Sequence, residues 1–180
     1  MTNKEFFINS WQRDSAVTAK AFRSLPDDMS KLNFTHHKNF RSPWEIVNHV
    51  GPHGGELVQA ITEGRLDLVH EGKFDLSGPK IYKSCEAAAA DIEASAVKLA
   101  EVAAKCDDAT WMTKVIPVYW GENKIFEMPL FQLCWTMFFD TIHHRGQLTS
   151  YYRVIGATQP ELYGPTYEVE EAMFAKANAN

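Results

Sequence analysis

The sequence predicts an all-α fold: four main helices packed as a four-helix bundle in one domain over residues 1–180, with a small hairpin or irregular excursion between helices three and four. Apolar residues recur at helical spacing in four stretches. Two of those stretches open on capping boxes. One segment, residues 115–126, breaks the pattern with β-branched and aromatic residues.

The first helix starts at Thr2-Asn3-Lys4-Glu5, where the Thr hydroxyl and the Glu carboxylate can each satisfy an orphan backbone N–H. Phe7, Trp11, Val17, Ala21, Phe22 and Leu25 follow, and Pro26-Asp27-Asp28 stops the run. Residues 33–41 are polar and read as a loop. The second helix is marked by Ser42-Pro43-Trp44-Glu45, with Ser at the N-cap and Pro at the first helical position. Gly51-Pro52 interrupts it, giving one kinked helix ending near Gly64 or two short helices meeting at Pro52. Residues 67–79 read as a loop. Ser84 to Cys106 is the Ala-rich third helix, ended by Asp107-Asp108-Ala109-Thr110. The excursion follows, with Gly121-Glu122-Asn123 as its turn and Pro117 confining its strand to an edge. A long fourth helix is expected from about Met128 to Ile155, closed by Gly156, and then an acidic tail with Glu168, Glu170 and Glu171.

Composition excludes several classes. A net charge of −5 with scattered Lys and Arg argues against nucleic-acid binding, which needs clustered cations to neutralise phosphates. No apolar run is long enough to span a bilayer, the N-terminus reads as a helix instead of a signal peptide, and the cytoplasm is the expected location. Cys85, Cys106 and Cys134 are an odd number at wide spacing, which argues against both a disulfide framework and a Cys-rich zinc site.

The segment Asp140-Thr141-Ile142-His143-His144-Arg145-Gly146-Gln147 is the richest in chemistry. Positions four apart share a helix face with Cβ atoms roughly 5–6 Å apart, so Asp140 and His144 can hold one divalent ion between them. Gln147 follows on nearly the same face, where it can orient a ligand or a water. His143 points about 100° away from His144 and is read as structural or as a support to the ligands. A third ligand must come from elsewhere, and the second helix offers His49 and His53, four apart with Pro52 between them. His and carboxylate ligands suit zinc, nickel, iron or manganese. Arg145 and Arg153 can either bind an anionic substrate group or form salt bridges with the many carboxylates.

His144-Arg145-Gly146-Gln147, with Tyr152-Arg153 and Gly156 beyond, resembles the end of the fourth helix in DinB/YfiT-like proteins. Residues 160–165 (Pro-Glu-Leu-Tyr-Gly-Pro) resemble a tail motif of one branch, and Ser42-Pro43-Trp44 leading to His49 resembles the family's second helix. The resemblance implies a four-helix bundle with a three-ligand metal site, commonly in homodimers. Its triad is one His on helix two and a His-xxx-His pair on helix four, which falls here on His49, Asp140 and His144. Asp140 stands where the common motif has His.

The resemblance also implies an activity. Members with known activity are metal-dependent thiol S-transferases or isomerases that use a low-molecular-weight thiol as cosubstrate. The alternative is a non-catalytic, stress-responsive metal-binding or dimeric scaffold protein, since the family name derives from induction by DNA damage.

Overall fold

A computed structural model describes residues 1–68 and 81–178. The loop expected over residues 67–79 therefore lies largely outside the described residues. The chain is mostly helical: α1 (Asn3–Arg23), α2 (Met29–Leu32), α3 (Pro43–Val50), α4 (His53–Glu63), α5 (Cys85–Lys105), α6 (Asp108–Thr113), α7 (Leu130–Tyr151) and α8 (Tyr167–Asn178). Three strands, β1 (Leu66–Asp67), β2 (Val115–Trp120) and β3 (Asn123–Pro129), form one sheet in the order β1-β2-β3.

Local chemistry accounts for the helix starts. Both expected capping boxes form, Thr2 with Glu5 and Ser42 with Glu45. Ser84 caps α5, and Asp107 caps the short α6 where the sequence suggested only a stop. Gly64 closes α4 at φ 72°, a left-handed conformation that glycine adopts without a Cβ clash. The second helix divides at Gly51-Pro52, yet both residues keep right-handed helical angles (φ −51° and −71°). The break costs a hydrogen bond without turning the chain, so the one-face relation of His49 and His53 survives.

The all-α expectation is corrected by the sheet. The expected hairpin forms, with the two-residue turn Gly121-Glu122 between Trp120 and Asn123. A third strand is added, because β1 pairs in parallel with β2 through Leu66↔Val118 and Asp67↔Tyr119. β2 is therefore central and not an edge. Pro117 is tolerated because β1 reaches only Val118 and Tyr119, so the missing N–H falls beyond the end of that ladder. The fourth helix also departs from expectation. It ends at Tyr151, four residues before Ile155, and turns carry the chain to Gly156 at φ 71°. The acidic tail contains α8, none of whose residues is buried.

The core is two apolar clusters with a polar layer between them. Phe7, Trp11, Leu57, Leu99, Trp111, Ile116 and Leu133 belong to the cluster beside the sheet. Phe22, Trp44, Val47, Ile92, Leu148 and Tyr152 belong to the other. Along each long helical segment the change from one cluster to the other passes through buried polar side chains. These are Asp14, Ser15 and Thr18 on α1, His53 on α4, Ser95 on α5, and Thr141 and Arg145 on α7.

Gly54 belongs to the same level. A Cβ there would lie 2.2 Å from Ser95 Oγ, so α4 can approach α5 this closely only without a side chain. Gly54→Ala is expected to lower stability by about 1–3 kcal/mol through overpacking. Gly55→Ala, where a Cβ meets nothing within 4 Å, is expected to be harmless. Thermal or denaturant unfolding of the two variants side by side checks the contrast.

Candidate metal centre

Helix α7 presents Asp140 and His144 one turn apart, and α3 with α4 presents His49 and His53 against them. The α3–α4 side is held by two contacts. The buried Asn48 amide donates to Trp44 O (2.9 Å), and its Oδ1 accepts from the backbone N–H groups of Ile81 (2.9 Å) and Tyr82 (3.2 Å). The Tyr82 ring then lies over Gly51, where an added Cβ would sit 2.3 Å from it.

The carboxylate of Asp140 is the hub. Its Oδ2 lies 3.1 Å from His49 Nε2 and 3.6 Å from His53 Nε2, and its Oδ1 lies 3.5 Å from His144 Nε2. The rings of His49 and His144 are 4.5 Å apart, those of His49 and His53 5.2 Å, both edge to face. His49, Asp140 and His144 each offer one ligand atom, all within 4.8 Å of one another, a group that could hold a metal ion. Two nitrogens and one oxygen suit a borderline divalent ion. The Asp140 side chain remains 38 % exposed, so the cluster opens to solvent on one side.

Neighbours orient the rings. His144 Nδ1 lies 2.8 Å from Gln147 Oε1, and because an amide oxygen only accepts, the ring donates there and turns Nε2 towards Asp140. The Gln147 amide in turn donates to His143 Nε2 at 2.9 Å. Gln147 is thus set against His144, and His143, which is exposed, meets the cluster through Gln147 and through an edge-to-face ring contact with His144 (centroids 5.1 Å). His53 is buried, with Nδ1 2.9 Å from Thr141 Oγ1. Thr141 was not singled out in the sequence. Its signal was its place beside Asp140 on the stripe of α7 that faces the core.

Charge in this cluster is strongly biased. Burial pushes the Asp140 carboxyl up, but the adjacent imidazoles of His144 and His49, and then His53, outweigh it and hold the group far below the ordinary carboxylate range. The carboxylate therefore stays ionised and draws positive charge, either protons on its neighbours or a cation. Burial does the opposite to His53, lowering it to about 4.

The two arginines offered as anion binders are occupied. Arg145 is buried and forms a paired contact with Asp14, Nη1 to Oδ2 at 2.7 Å and Nη2 to Oδ1 at 2.9 Å, with Thr18 Oγ1 accepting at 2.6 Å. Tyr163 accepts from Arg145 and donates to Asp14. Arg153 pairs with Glu168 at 2.6 and 2.9 Å and with Gln159. Of the two readings open in the sequence, the salt bridge is the one both side chains adopt. Asp14 was overlooked, although Phe7, Trp11, Asp14 and Thr18 follow helical spacing, which places a charge on a core stripe and requires a buried partner.

The fold is that of a mostly helical protein with a His/Asp triad between two helical segments. A model of the DinB family matches residues 1–176, and the chain belongs to that family. It is similar to a DinB-like protein from Bacillus cereus known from a crystal structure. The two are 22 % identical with a TM-score of 0.61, over 88 % of this chain and 97 % of that one. No curated protein matches. Among the described residues no helix is long and apolar enough to cross a membrane.

Two outcomes are expected. Asp14→Ala leaves an uncompensated buried guanidinium and should cost about 3–5 kcal/mol in denaturant unfolding. In metal-free protein, the depressed His53 group must gain a proton on acidification that the unfolded chain accepts more readily. Its contribution to stability is complete above its ordinary value of 6.5 and declines as pH falls towards about 4. Histidine-resolved NMR titration should show His53 still neutral at pH 5, and full protonation there would contradict this.

Proposed function

We propose that this DinB protein binds a divalent ion through His49, Asp140 and His144 and uses it to activate a low-molecular-weight thiol, as a thiol S-transferase. The observation that carries the reading is the convergence of three ligand atoms from two separate helical segments within 4.8 Å, beside an open face. Family membership supports the same centre, and the long segments α1, α3–α4, α5 and α7 read as the four-helix bundle that frames it.

A divalent ion held here would supply Lewis acidity, lowering the pKa of a coordinated thiol so that thiolate is available at neutral pH. The residues of the chain do the rest. His49 and His144 set the two nitrogen donors, Asp140 offsets charge, and Gln147 keeps His144 in its ligating tautomer. The thiolate sulfur would form a bond to an electrophilic carbon as the leaving group departs with the bonding pair. The chain's own thiols are poor substitutes: burial raises Cys134, Cys85 (to about 11) and Cys106.

A second reading is a non-catalytic metal-binding protein. It is favoured by one observation: ion pairs occupy both Arg145 and Arg153, the two cations that the sequence offered for an anionic substrate.

Metal analysis of the purified protein is expected to find a transition metal bound, and His144→Ala is expected to lose it together with thiol consumption in the presence of an electrophile. Gln147→Leu should keep the ligands and weaken the ion about 10–100-fold, as loss of an orienting partner does. If metal-loaded protein consumes no thiol with any electrophile offered, the non-catalytic reading stands. If no metal binds at all, both readings fail.

A further inference from the structure

His53 is a buried imidazole aimed at the centre without belonging to the tight group of three. Its state follows from hydrogen-bond arithmetic. The Thr141 hydroxyl has one proton, and it is donated to Met137 O at 2.9 Å. The contact between Thr141 Oγ1 and His53 Nδ1, also 2.9 Å, must then be a bond from the ring to the hydroxyl oxygen. His53 therefore keeps a proton on Nδ1, and Nε2 is the ring atom turned to the cluster. That nitrogen lies 3.6 Å from Asp140 Oδ2, an oxygen that only accepts when ionised.

Two such atoms this close inside a protein need something positive between them, either a second proton on His53 or a cation. The side chains around them offer little. His144 spends Nδ1–H on Gln147, and His49 Nε2, at 3.1 Å, can serve only one lone pair of Asp140. His53 itself is 6 % exposed, so bulk water does not solvate its ring freely. A cation between His53 and Asp140 satisfies both at once.

We propose that His53 is a fourth protein ligand to the ion, the outermost of the set, held in its ligating tautomer by Thr141. This rests on the metal-binding reading above and extends it, because three imidazoles and one carboxylate leave fewer positions for exogenous ligands than the triad does. Because Gly51 and Pro52 keep helical angles, the end of α3 and the start of α4 turn both histidines to the same ion from one face.

The test uses the full chain with its histidines labelled with nitrogen-15 and loaded with spin-active cadmium. Direct coupling between cadmium and an imidazole nitrogen marks each ligand among the seven histidines. The expected result is three coupled rings, His49, His53 and His144, each through Nε2. Zinc titrations give a second measurement: His53→Leu should weaken binding by more than about 100-fold, and Thr141→Val, which keeps the shape and removes the hydroxyl, by about 10–100-fold. Two coupled rings with unchanged zinc affinity in His53→Leu would overturn the fourth ligand and leave the triad intact. Wild-type protein that takes up neither metal would overturn the triad as well. The cadmium spectra are read on the wild-type chain, so a folding defect in His53→Leu does not remove the test.

Discussion

An ion pair buried between α1 and α7 determines which way α7 faces. The Arg145 guanidinium has almost no access to solvent, and its compensation comes from Asp14, Thr18 and Tyr163. An unpaired guanidinium at that depth would cost several kcal/mol, so any rotation or slip of α7 that loses Asp14 is strongly penalised. Paired, Arg145 commits its face of the helix to α1. The Asp140 and His144 side chains, displaced around the same helix, are thereby turned to α3 and α4.

The level at which this pair sits is the level of the whole polar layer. Each long segment passes from one apolar cluster to the other there, through Asp14 to Thr18 on α1, His53 and Gly54 on α4, Ser95 on α5 and Thr141 to Arg145 on α7. Polar groups in such a layer must find partners, which specifies register more sharply than apolar contact alone. Gly54 contributes by its lack of a side chain, letting α4 close onto Ser95. The candidate metal centre is the edge of this layer that reaches solvent.

Within the centre, the orienting groups matter as much as the donors. Gln147 and Thr141 are each one hydrogen bond away from a ring nitrogen, and each determines which nitrogen of its histidine carries the proton. Asp140, where the common motif of the resembling family has His, places an anion among three imidazoles. The cluster is therefore arranged around positive charge.

What the sequence determined by itself is what depends on near neighbours along the chain. Capping boxes at Thr2 and Ser42, the Ala-rich α5, a turn starting at Gly121 and the one-turn spacing of Asp140 and His144 are all local, and all are observed, the turn one residue shorter than Gly121-Glu122-Asn123. Tertiary structure decided the rest. β1 exists only because β2 passes beside residues 66 and 67, and Pro117 is tolerated in that central strand only because the partner is two residues long. Thr141, Asp14 and Tyr163 gain their roles from groups on other elements. Whether an Arg at position 145 meets a substrate or a carboxylate turns on a residue 131 positions away, and which of two histidines four apart joins the triad turns on where a second helix is laid. Helix spacing and caps are written in the backbone's own periodicity, whereas a buried charge takes its meaning from the partner that the fold brings to it.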